Sequence, residues 1–211
     1  MMSKTIGCVI VFTVLISGCN NVETEAEPVA SVALFNGRNL DGWVIENNAL
    51  FSVQEGLMVV NKGVGWLRSK DTFGDMILDM DFRFLEEGAN SGIFVRTGPT
   101  SHQDDNGWPD NGYQVQCMDN IAKMPALGTM IPYGAPPFTH SSNLEALHRA
   151  YRPTREWNHF QITCRGETLT VKLNNALVTT AQEIKNHRGH VGIQAEHGHL
   201  EFKNIRLQQL D

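Results

Sequence analysis

The sequence predicts an all-β protein, an antiparallel β-sandwich or jelly roll with one short helix at most. Apolar and polar residues alternate with a period of two in many short segments, as they do in strands that bury one face. Turn signals such as Glu55-Gly56, Arg165-Gly166 and Asn174-Asn175 separate these segments. The 19 Gly and 8 Pro also favour a turn-rich chain, and long runs of helix-forming residues are missing.

The clearest predicted strand covers residues 75–85, where every even position is apolar and Asp79, Asp81 and Arg83 occupy odd positions. This pattern is typical of a long strand with one buried face and one polar face. The strand candidates are, in chain order, residues 51–53, 57–60, 65–68, 75–85, 91–97, 113–118, 158–164, 168–173, 176–180, 190–194 and 200–208.

One segment favours a helix, and two favour loops. Residues 143–151 (NLEALHRAY) have the spacing of a short helix. Residues 131–137 are rich in Pro, and residues 102–112 (HQDDNGWPDNG) are rich in Asp, Asn and Gly, so both are predicted loops. Long loops on a β scaffold often carry function.

The first 18 residues are predicted to be a lipoprotein signal peptide. Lys4 precedes an apolar run that ends in Ser17-Gly18-Cys19. Small residues before a Cys resemble a bacterial lipobox, in which that Cys is lipidated and becomes the mature N-terminus. An ordinary signal peptide followed by a chance Cys is the alternative. The lipobox predicts a membrane anchor at Cys19 in the bacterial cell envelope, at the periplasmic face of the outer membrane or at the cell surface.

Residues 19–31 contain three Glu, one Pro and few large apolar groups, so they are predicted to be a flexible tether. Residues 32–211 then form one folded domain. The formal charge of −6 gives no electrostatic argument for nucleic-acid binding. Cys117 and Cys164 alternate with apolar neighbours, which favours two buried free thiols, although an exported domain could also pair them.

Two polar motifs have alternative interpretations. Residues 102–112 hold three Asp and two Asn, which could bind calcium, but this composition is also ordinary in turns. His197-Gly198-His199 has the spacing of two metal ligands without an evident third. His197 alone is a candidate acid or base, because the pKa of imidazole lies near neutrality.

On three predicted strands, polar residues also occupy alternate positions, so that they share one face of each strand. If these strands lie in one sheet, carboxylate, guanidinium and amide groups meet on one surface, which suits the many hydroxyls of a sugar. Aromatic rings could stack on that sugar, whereas the alternative is a solvated face above core aromatics. The polar residues are Asp79, Asp81, Arg83, Asn90, Arg96, Gln114, Gln116, Asp119 and Asn120, and the aromatic residues are Trp43, Trp66, Trp108, Tyr133 and Trp157.

Several motifs together resemble the 3-keto-disaccharide hydrolase domain family over nearly the whole domain. In order they are LFNGRNLDGW at 34–43, GANSGIFVR at 88–96, GYQVQCMDN at 112–120, EWN at 156–158, GIQ at 192–194 with His197-Gly198, and EFKNIR at 201–206. The resemblance implies a concanavalin-like jelly roll with a concave polar face. It also implies a carbohydrate substrate, a glycoside oxidised at C3.

A C3 ketone acidifies the hydrogen on C2, so a base can form an enolate that expels the group at C1, and water can then add. Such an enzyme needs a base, an enolate stabiliser and an acid. It does not need the paired carboxylates of glycosidases that pass through an oxocarbenium ion. A divalent metal could stabilise the enolate, but the sequence identifies no site for one.

Mapped onto the matching motifs, the resemblance implies that Arg96 is an electrostatic stabiliser and that Asp119 and His197 are the acid and base. The substrate-binding candidates are Asp81, Arg83, Asn90, Gln114, Gln116, Asn120 and Tyr133. The family usually has Glu in place of Gln114, often Glu in place of Asp81, and Arg in place of Lys203. Because an amide is not a base at neutral pH, a non-catalytic carbohydrate-binding lipoprotein is the alternative function. A structural envelope lipoprotein is the third.

Overall fold

A computed structural model of the protein describes residues 30–101 and 107–210, except for the side chain of Lys62. The predicted signal peptide, the predicted lipidation site Cys19 and most of the predicted tether lie outside the described residues, as do the first five residues of the predicted loop at 102–112. Within the described part of the chain, no helix is both long and apolar enough to cross a membrane.

Two antiparallel sheets and one helix make up the described structure. The strands are β1 Val32–Ala33, β2 Trp43–Asn47, β3 Leu50–Gln54, β4 Leu57–Lys62, β5 Gly65–Ser69, β6 Met76–Phe84, β7 Asn90–Thr97, β8 Gly112–Met118, β9 Met130–Tyr133, β10 Thr139–Ser142, β11 Asn158–Arg165, β12 Thr168–Leu173, β13 Ala176–Gln182, β14 His190–Ala195 and β15 Leu200–Gln209. The nine-stranded sheet has the order β10-β13-β12-β11-β6-β15-β4-β3, with β1 beside β15. The six-stranded sheet has the order β2-β5-β14-β7-β8-β9.

The predicted all-β antiparallel class is confirmed, and every predicted strand is present with bounds that differ by at most a few residues. Helix α1, Leu144–Ala150, fills the predicted helical segment, and Asn143 caps it by accepting a hydrogen bond from the Ala146 N–H at 2.9 Å. Strands β1, β2, β9 and β10 were not predicted. The loop prediction at 131–137 is wrong at its start, because residues 131–133 belong to β9.

The main core lies between the sheets. Strand β6 buries each alternate side chain, from Met76 to Phe84, as its sequence period requires. Phe82 contacts the rings of Phe160 on β11 and Phe202 on β15, with centroids 4.6 Å and 6.3 Å apart. This aromatic contact fixes β6 between its two neighbours in the sheet.

Three strands of the six-stranded sheet, β7, β8 and β14, are buried on both faces. Ile93 and Val115 point into the main core, whereas Phe94 points outward. Phe94, Trp66 and Trp108 form a separate aromatic cluster on the outer face. The outer face of this sheet is therefore covered in part.

Cys117 and Cys164 are free and buried, which confirms the prediction of two thiols inside the domain. Cys117 belongs to β8 and Cys164 to β11, in opposite sheets. Burial raises the pKa of both thiols, that of Cys164 to about 12, so neither is a reactive thiolate near neutral pH.

Candidate functional site

The predicted polar surface is divided between the two sheets. Strand β6 belongs to the nine-stranded sheet, whereas β7 and β8 belong to the six-stranded sheet. The expectation that these three strands share one sheet is therefore wrong. Sequence alternation shows which residues share one face of a strand, but it does not identify the strand's neighbours.

Asp81 and Arg83 lie on the outer face of the nine-stranded sheet. Asp81 accepts hydrogen bonds from His159 Nδ1 at 2.8 Å and from Asn204 Nδ2 at 2.6 Å. Arg83 Nε donates to Glu201 Oε2 at 2.5 Å. Asp81 and Arg83, both predicted to bind substrate, thus make hydrogen bonds with neighbouring side chains. They also lie on a different sheet from the polar residues of β7 and β8.

Arg96 lies near the opposite end of β7 from Asn90. The two are six positions apart along the strand, which corresponds to about 20 Å. Arg96 Nη2 donates to Asp75 Oδ1 at 2.8 Å, and Nη1 donates to the carbonyls of Gly166 and Asn186 at 2.6 Å and 3.1 Å. The side chain of Arg96 is completely buried. These contacts give the guanidinium a structural role and leave it no exposed surface for a substrate.

A chain of polar side chains crosses the outer face of the six-stranded sheet. Asn90 Nδ2 donates to Glu196 Oε2 at 2.5 Å, and Gln116 Nε2 donates to Asn90 Oδ1 at 3.1 Å. Gln114 Nε2 donates to Gln116 Oε1 at 2.6 Å and lies 3.4 Å from Gln194 Oε1. We call these five side chains the amide relay. It connects a half-buried carboxylate to two fully buried amides.

Two atoms of the amide relay have no hydrogen-bond partner among the described residues, Gln114 Oε1 and Gln194 Nε2. Gln114 is 1% exposed and Gln194 is 0% exposed. An unpartnered polar atom at such depth costs about 1–3 kcal/mol. The inner end of the relay therefore has one unused acceptor and one unused donor.

Two glycines leave space for this arrangement. A Cβ on Gly92 would lie 2.3 Å from Gln114 Nε2, and a Cβ on Gly192 would lie 2.5 Å from a ring carbon of Trp66. Gly92 pairs with Gln116, and Gly192 pairs with Phe94. Only a residue without a side chain lets Gln114 and Trp66 lie flat against the sheet here.

Aromatic rings surround the inner end of the relay. Phe94 makes edge-to-face contacts with Trp66 and Tyr133 at 5.7 Å, and Trp108 makes one with Tyr133 at 5.5 Å. Trp108 Nε1 lies 3.5 Å from the Ala195 carbonyl. Tyr133, a predicted substrate ligand, therefore lies on the same sheet face as Gln114.

An open cleft of about 450 Å³ lies at the outer end of the relay, and its polar lining residues are Glu86, Glu196, His197 and His199. The pKa of Glu196 is raised, chiefly because burial disfavours its charge. His197 is exposed and follows Glu196 directly. His199 Nδ1 lies 2.8 Å from Glu86 Oε1, a hydrogen bond that lowers the pKa of Glu86.

Asp119 lies beside the cleft, and hydrogen-bond donors already contact its carboxylate. Its carboxylate accepts hydrogen bonds from the hydroxyls of Tyr151 and Thr154 and from the Gly88 N–H. Its backbone N–H donates to the Ala89 carbonyl at 2.9 Å, next to Asn90. Burial and the hydrogen bond to Asp119 raise the pKa of Tyr151, so this hydroxyl stays protonated. The three donors leave little of the Asp119 carboxylate free to take a substrate proton.

Asn120 builds a turn instead of facing the cleft. Its Oδ1 accepts from the backbone N–H groups of Ala122 and Lys123, and its Nδ2 donates to the Lys123 carbonyl at 2.8 Å. This is ordinary turn chemistry for an Asn side chain.

Of the predicted site residues, the outer face of the six-stranded sheet brings together Asn90, Gln114, Gln116 and Tyr133, with His197 at its rim. Glu196 and Gln194 were missed. The alternation along β14 could have identified them, because residues 192, 194 and 196 are two positions apart and point to the same side of the strand. Across the two described ranges, no three His, Cys, Asp or Glu residues are placed to hold a metal ion.

The sequence matches the 3-keto-alpha-glucoside-1,2-lyase-like domain family over residues 30–208. Two Parabacteroides distasonis structures with the provisional description of glycosyl hydrolase have TM-scores of 0.64 and 0.63 and identities of 24% and 16%. Each alignment covers 86% of this chain, and 100% and 94% of those chains.

The carbohydrate-binding module CBM66 from Bacillus subtilis is also similar, with a TM-score of 0.53 and 14% identity over 80% of this chain and 96% of that one. At these identities the structures establish a common jelly-roll fold, which confirms the predicted fold class. A comparison with curated proteins found no match.

Proposed function

The chain belongs to the 3-keto-alpha-glucoside-1,2-lyase-like domain family, and from that membership we propose that it cleaves glycosides oxidised at C3. At the coarser level it is a carbohydrate-active, glycosyl hydrolase-like domain. The proposed reaction is an elimination at C1–C2 that hydration can follow. The proposed site is the cleft at Glu196 together with the adjoining face of the six-stranded sheet.

The observation that carries this proposal is the position of Glu196. Its carboxylate is half-buried at the cleft, its pKa is raised, and the exposed imidazole of His197 is next to it. A carboxylate with a raised pKa is a stronger base than an ordinary surface Glu. The cleft therefore places a carboxylate that can act as a base beside an imidazole that can act as an acid.

In the proposed mechanism Glu196 removes the proton from C2. The C2–H electron pair forms a C2=C3 double bond, and the C3 carbonyl becomes an enolate. The enolate then restores the ketone, a C1=C2 double bond forms, and the C1–O bond breaks. His197 gives a proton to the departing oxygen, which leaves as an alcohol. Water can then add across C1=C2 to release the 3-keto sugar.

The direct test compares p-nitrophenyl 3-keto-α-glucoside with p-nitrophenyl α-glucoside. We expect release of p-nitrophenol from the oxidised substrate alone, because only the ketone acidifies C2–H. Proton NMR of the reaction should detect the C1=C2 alkene or, after hydration in D₂O, deuterium at C2. Equal cleavage of both substrates would contradict the elimination, and so would product without deuterium or alkene.

One observation favours a second function, a carbohydrate-binding domain without catalysis. Position 114 carries an amide, which cannot act as a base, and its side chain is buried. A binding domain would bind the 3-keto-glucoside measurably by calorimetry and release no p-nitrophenol at any pH. The same assay therefore separates the two functions.

We also propose that the protein is attached to the bacterial cell envelope through lipid on Cys19. The support is the order of a charged start, an apolar run and Ser17-Gly18-Cys19 in the sequence. The segment at 19–31 would then separate the catalytic domain from the membrane surface.

A further inference from the structure

We propose that the amide relay is a reversible switch whose direction is set by the proton on Glu196. The relay begins at Glu196 in the cleft and continues inward through Asn90, Gln116, Gln114 and Gln194. The inference deepens the proposed function, on which it rests because it takes Glu196 as the base. The hydrogen-bond switch itself can be tested without any substrate.

With Glu196 ionised, Asn90, Gln116 and Gln114 each point an N–H group toward the cleft, and Gln194 turns its carbonyl toward Gln114. The Glu196 carboxylate can only accept, so it takes a hydrogen bond from Asn90 Nδ2. The carbonyl of Asn90 then accepts from Gln116, and the carbonyl of Gln116 accepts from Gln114. The charge on one side chain thus fixes the orientation of three amides behind it.

A protonated Glu196 permits the opposite direction. Its hydroxyl can donate to Asn90 Oδ1 once the Asn90 amide turns over, and Asn90 Nδ2 then donates to Gln116 Oε1. Gln116 Nε2 in turn donates to Gln114 Oε1, the acceptor that has no partner in the first arrangement. Gln194 Nε2, the unpartnered donor, reaches the same oxygen after its own amide turns.

The two directions are closely balanced in every respect except the proton. Each has four hydrogen bonds along the relay and leaves one donor and one acceptor unpartnered at the inner end. The two ends of an amide have nearly the same shape, so turning one over needs no repacking. The relay therefore contains little that prefers either direction, and the carboxyl group at the cleft decides.

Several charged groups lie around Glu196. His197 favours the ionised form of Glu196, and the pair of Glu86 and His199 faces it across the cleft. On the neighbouring strands β2 and β5, Glu46 and Arg68 pair with each other at 2.7 Å. Asp119, beyond Asn90, is held by its three donors.

The switch gives the captured proton a defined acceptor. When Glu196 takes the C2 proton of the substrate, reversal of the relay lets its new hydroxyl donate to Asn90 Oδ1. At the same time Gln114 Nε2 loses both of its acceptors, so Gln114 presents a free donor in place of a free acceptor, and Gln194 presents a free acceptor in place of a free donor. The protonation state of the base is thus transmitted to the buried face beside Phe94 and Tyr133.

The first experiment follows the wild-type protein by NMR without substrate. The side-chain NH₂ signals of Gln114 and Gln194 and the carboxyl carbon of Glu196 are recorded as a function of pH. We expect the NH₂ signals to shift with the same midpoint as Glu196. Constant NH₂ signals through the titration of Glu196 would overturn the proposal, whether or not the protein cleaves 3-keto-glucosides.

The second experiment fixes the direction with Gln114→Glu. A carboxylate at position 114 can only accept, so it holds Gln116 and Asn90 in the reversed orientation and turns Asn90 Oδ1 toward Glu196. We expect the titration midpoint of Glu196 to rise by about one pH unit or more. Gln182→Glu, which adds the same charge at an exposed position of β13, should leave the midpoint unchanged.

A double variant separates the relay from the through-space effect of the new charge. Gln116→Leu removes the central amide, so Gln114→Glu in that background keeps its charge but loses the connection. We expect most of the rise in the Glu196 midpoint to disappear. An equal rise in both backgrounds would mean that charge alone acts, and it would overturn the switch. Amide spectra of each variant verify that it is folded.

Discussion

Arg96 and Asp75 form an ion pair that joins the two sheets, with Arg96 Nη2 donating to Asp75 Oδ1 at 2.8 Å. The Arg96 side chain is fully buried, whereas the Asp75 side chain is 29% exposed. Asp75 also accepts hydrogen bonds from the Gly166 N–H at 2.9 Å and 3.0 Å. The pair closes the end of the sandwich that lies away from the cleft.

Replacement of Arg96 should therefore affect folding before chemistry. We expect Arg96→Met to lower the free energy of unfolding by about 3–5 kcal/mol, because it leaves Asp75 and the carbonyls of Gly166 and Asn186 without their donor. Urea unfolding measures this loss. Arg83→Met, which breaks a more exposed pair, should cost about 1 kcal/mol or less. Unchanged stability with lost cleavage would instead support Arg96 as a stabiliser of the enolate.

Glu196→Gln and Asp119→Asn should have opposite effects. Glu196→Gln removes the proposed base and should lower kcat by about 10²–10⁴-fold with little change in unfolding. Asp119→Asn disturbs three hydrogen bonds and should cost about 1–3 kcal/mol, while the folded protein still turns over. Kinetics and urea unfolding of both variants measure this contrast. Loss of turnover in Asp119→Asn alone would assign the base to Asp119.

The glycines on the six-stranded sheet should tolerate no side chain. Gly92→Ala places a Cβ against Gln114, so we expect weaker binding of the 3-keto-glucoside in calorimetry. Gly192→Ala displaces the buried ring of Trp66 and should cost about 1–3 kcal/mol in urea unfolding. Gly74→Ala is the matched control, because its Cβ would meet no atom closer than 3.5 Å. Equal effects at all three glycines would contradict this explanation.

His159 should make stability depend on pH. Its pKa is raised by hydrogen bonds to Asp79 and Asp81, and that of Asp79 is lowered in return by the hydrogen bond to His159. A raised His pKa stabilises the fold fully below the unfolded value of 6.5, and the effect is lost as pH rises through the folded value. The lowered pKa of Asp79 stabilises the fold above pH 3.8, its unfolded pKa. That stabilisation is lost as the pH falls through the pKa of Asp79 in the folded protein.

Because the His159 cluster is about one-third exposed, we expect less than about 1 kcal/mol from it. Urea unfolding at a series of pH values should show the decline above pH 6.5 in the wild type and not in His159→Gln. The same decline in both proteins would assign it to other groups.

The proposed lipid anchor predicts that the full-length chain, expressed in a bacterium with a lipoprotein pathway, takes up radiolabelled palmitate and sediments with membranes. Cys19→Ser should abolish the label and release the protein, because the thiol is the acceptor. Cys8→Ser is the control and should keep the label. An unlabelled wild type that is secreted would support the ordinary signal peptide instead.

Local sequence pattern predicted the strands well, because side chains on a strand alternate and a buried face leaves a period of two. It found β6 and α1 nearly to their ends. It missed β1, because two residues are too few to show alternation, and it missed β10, because the THSS segment is wholly polar. Those strands exist because a neighbouring strand supplies hydrogen-bond partners for their backbone.

The alternation also identified which amide side chains share one face of a strand, but it did not identify the residues that this face contacts. Gln114 and Gln116 share a face because they are two residues apart, as the sequence shows. Whether that face meets Asp81 or Glu196 depends on which strands pair, and pairing is decided by the packing of both sheets. Asn90 and Glu196 are 106 positions apart, so only the folded chain brings the amide to the carboxylate.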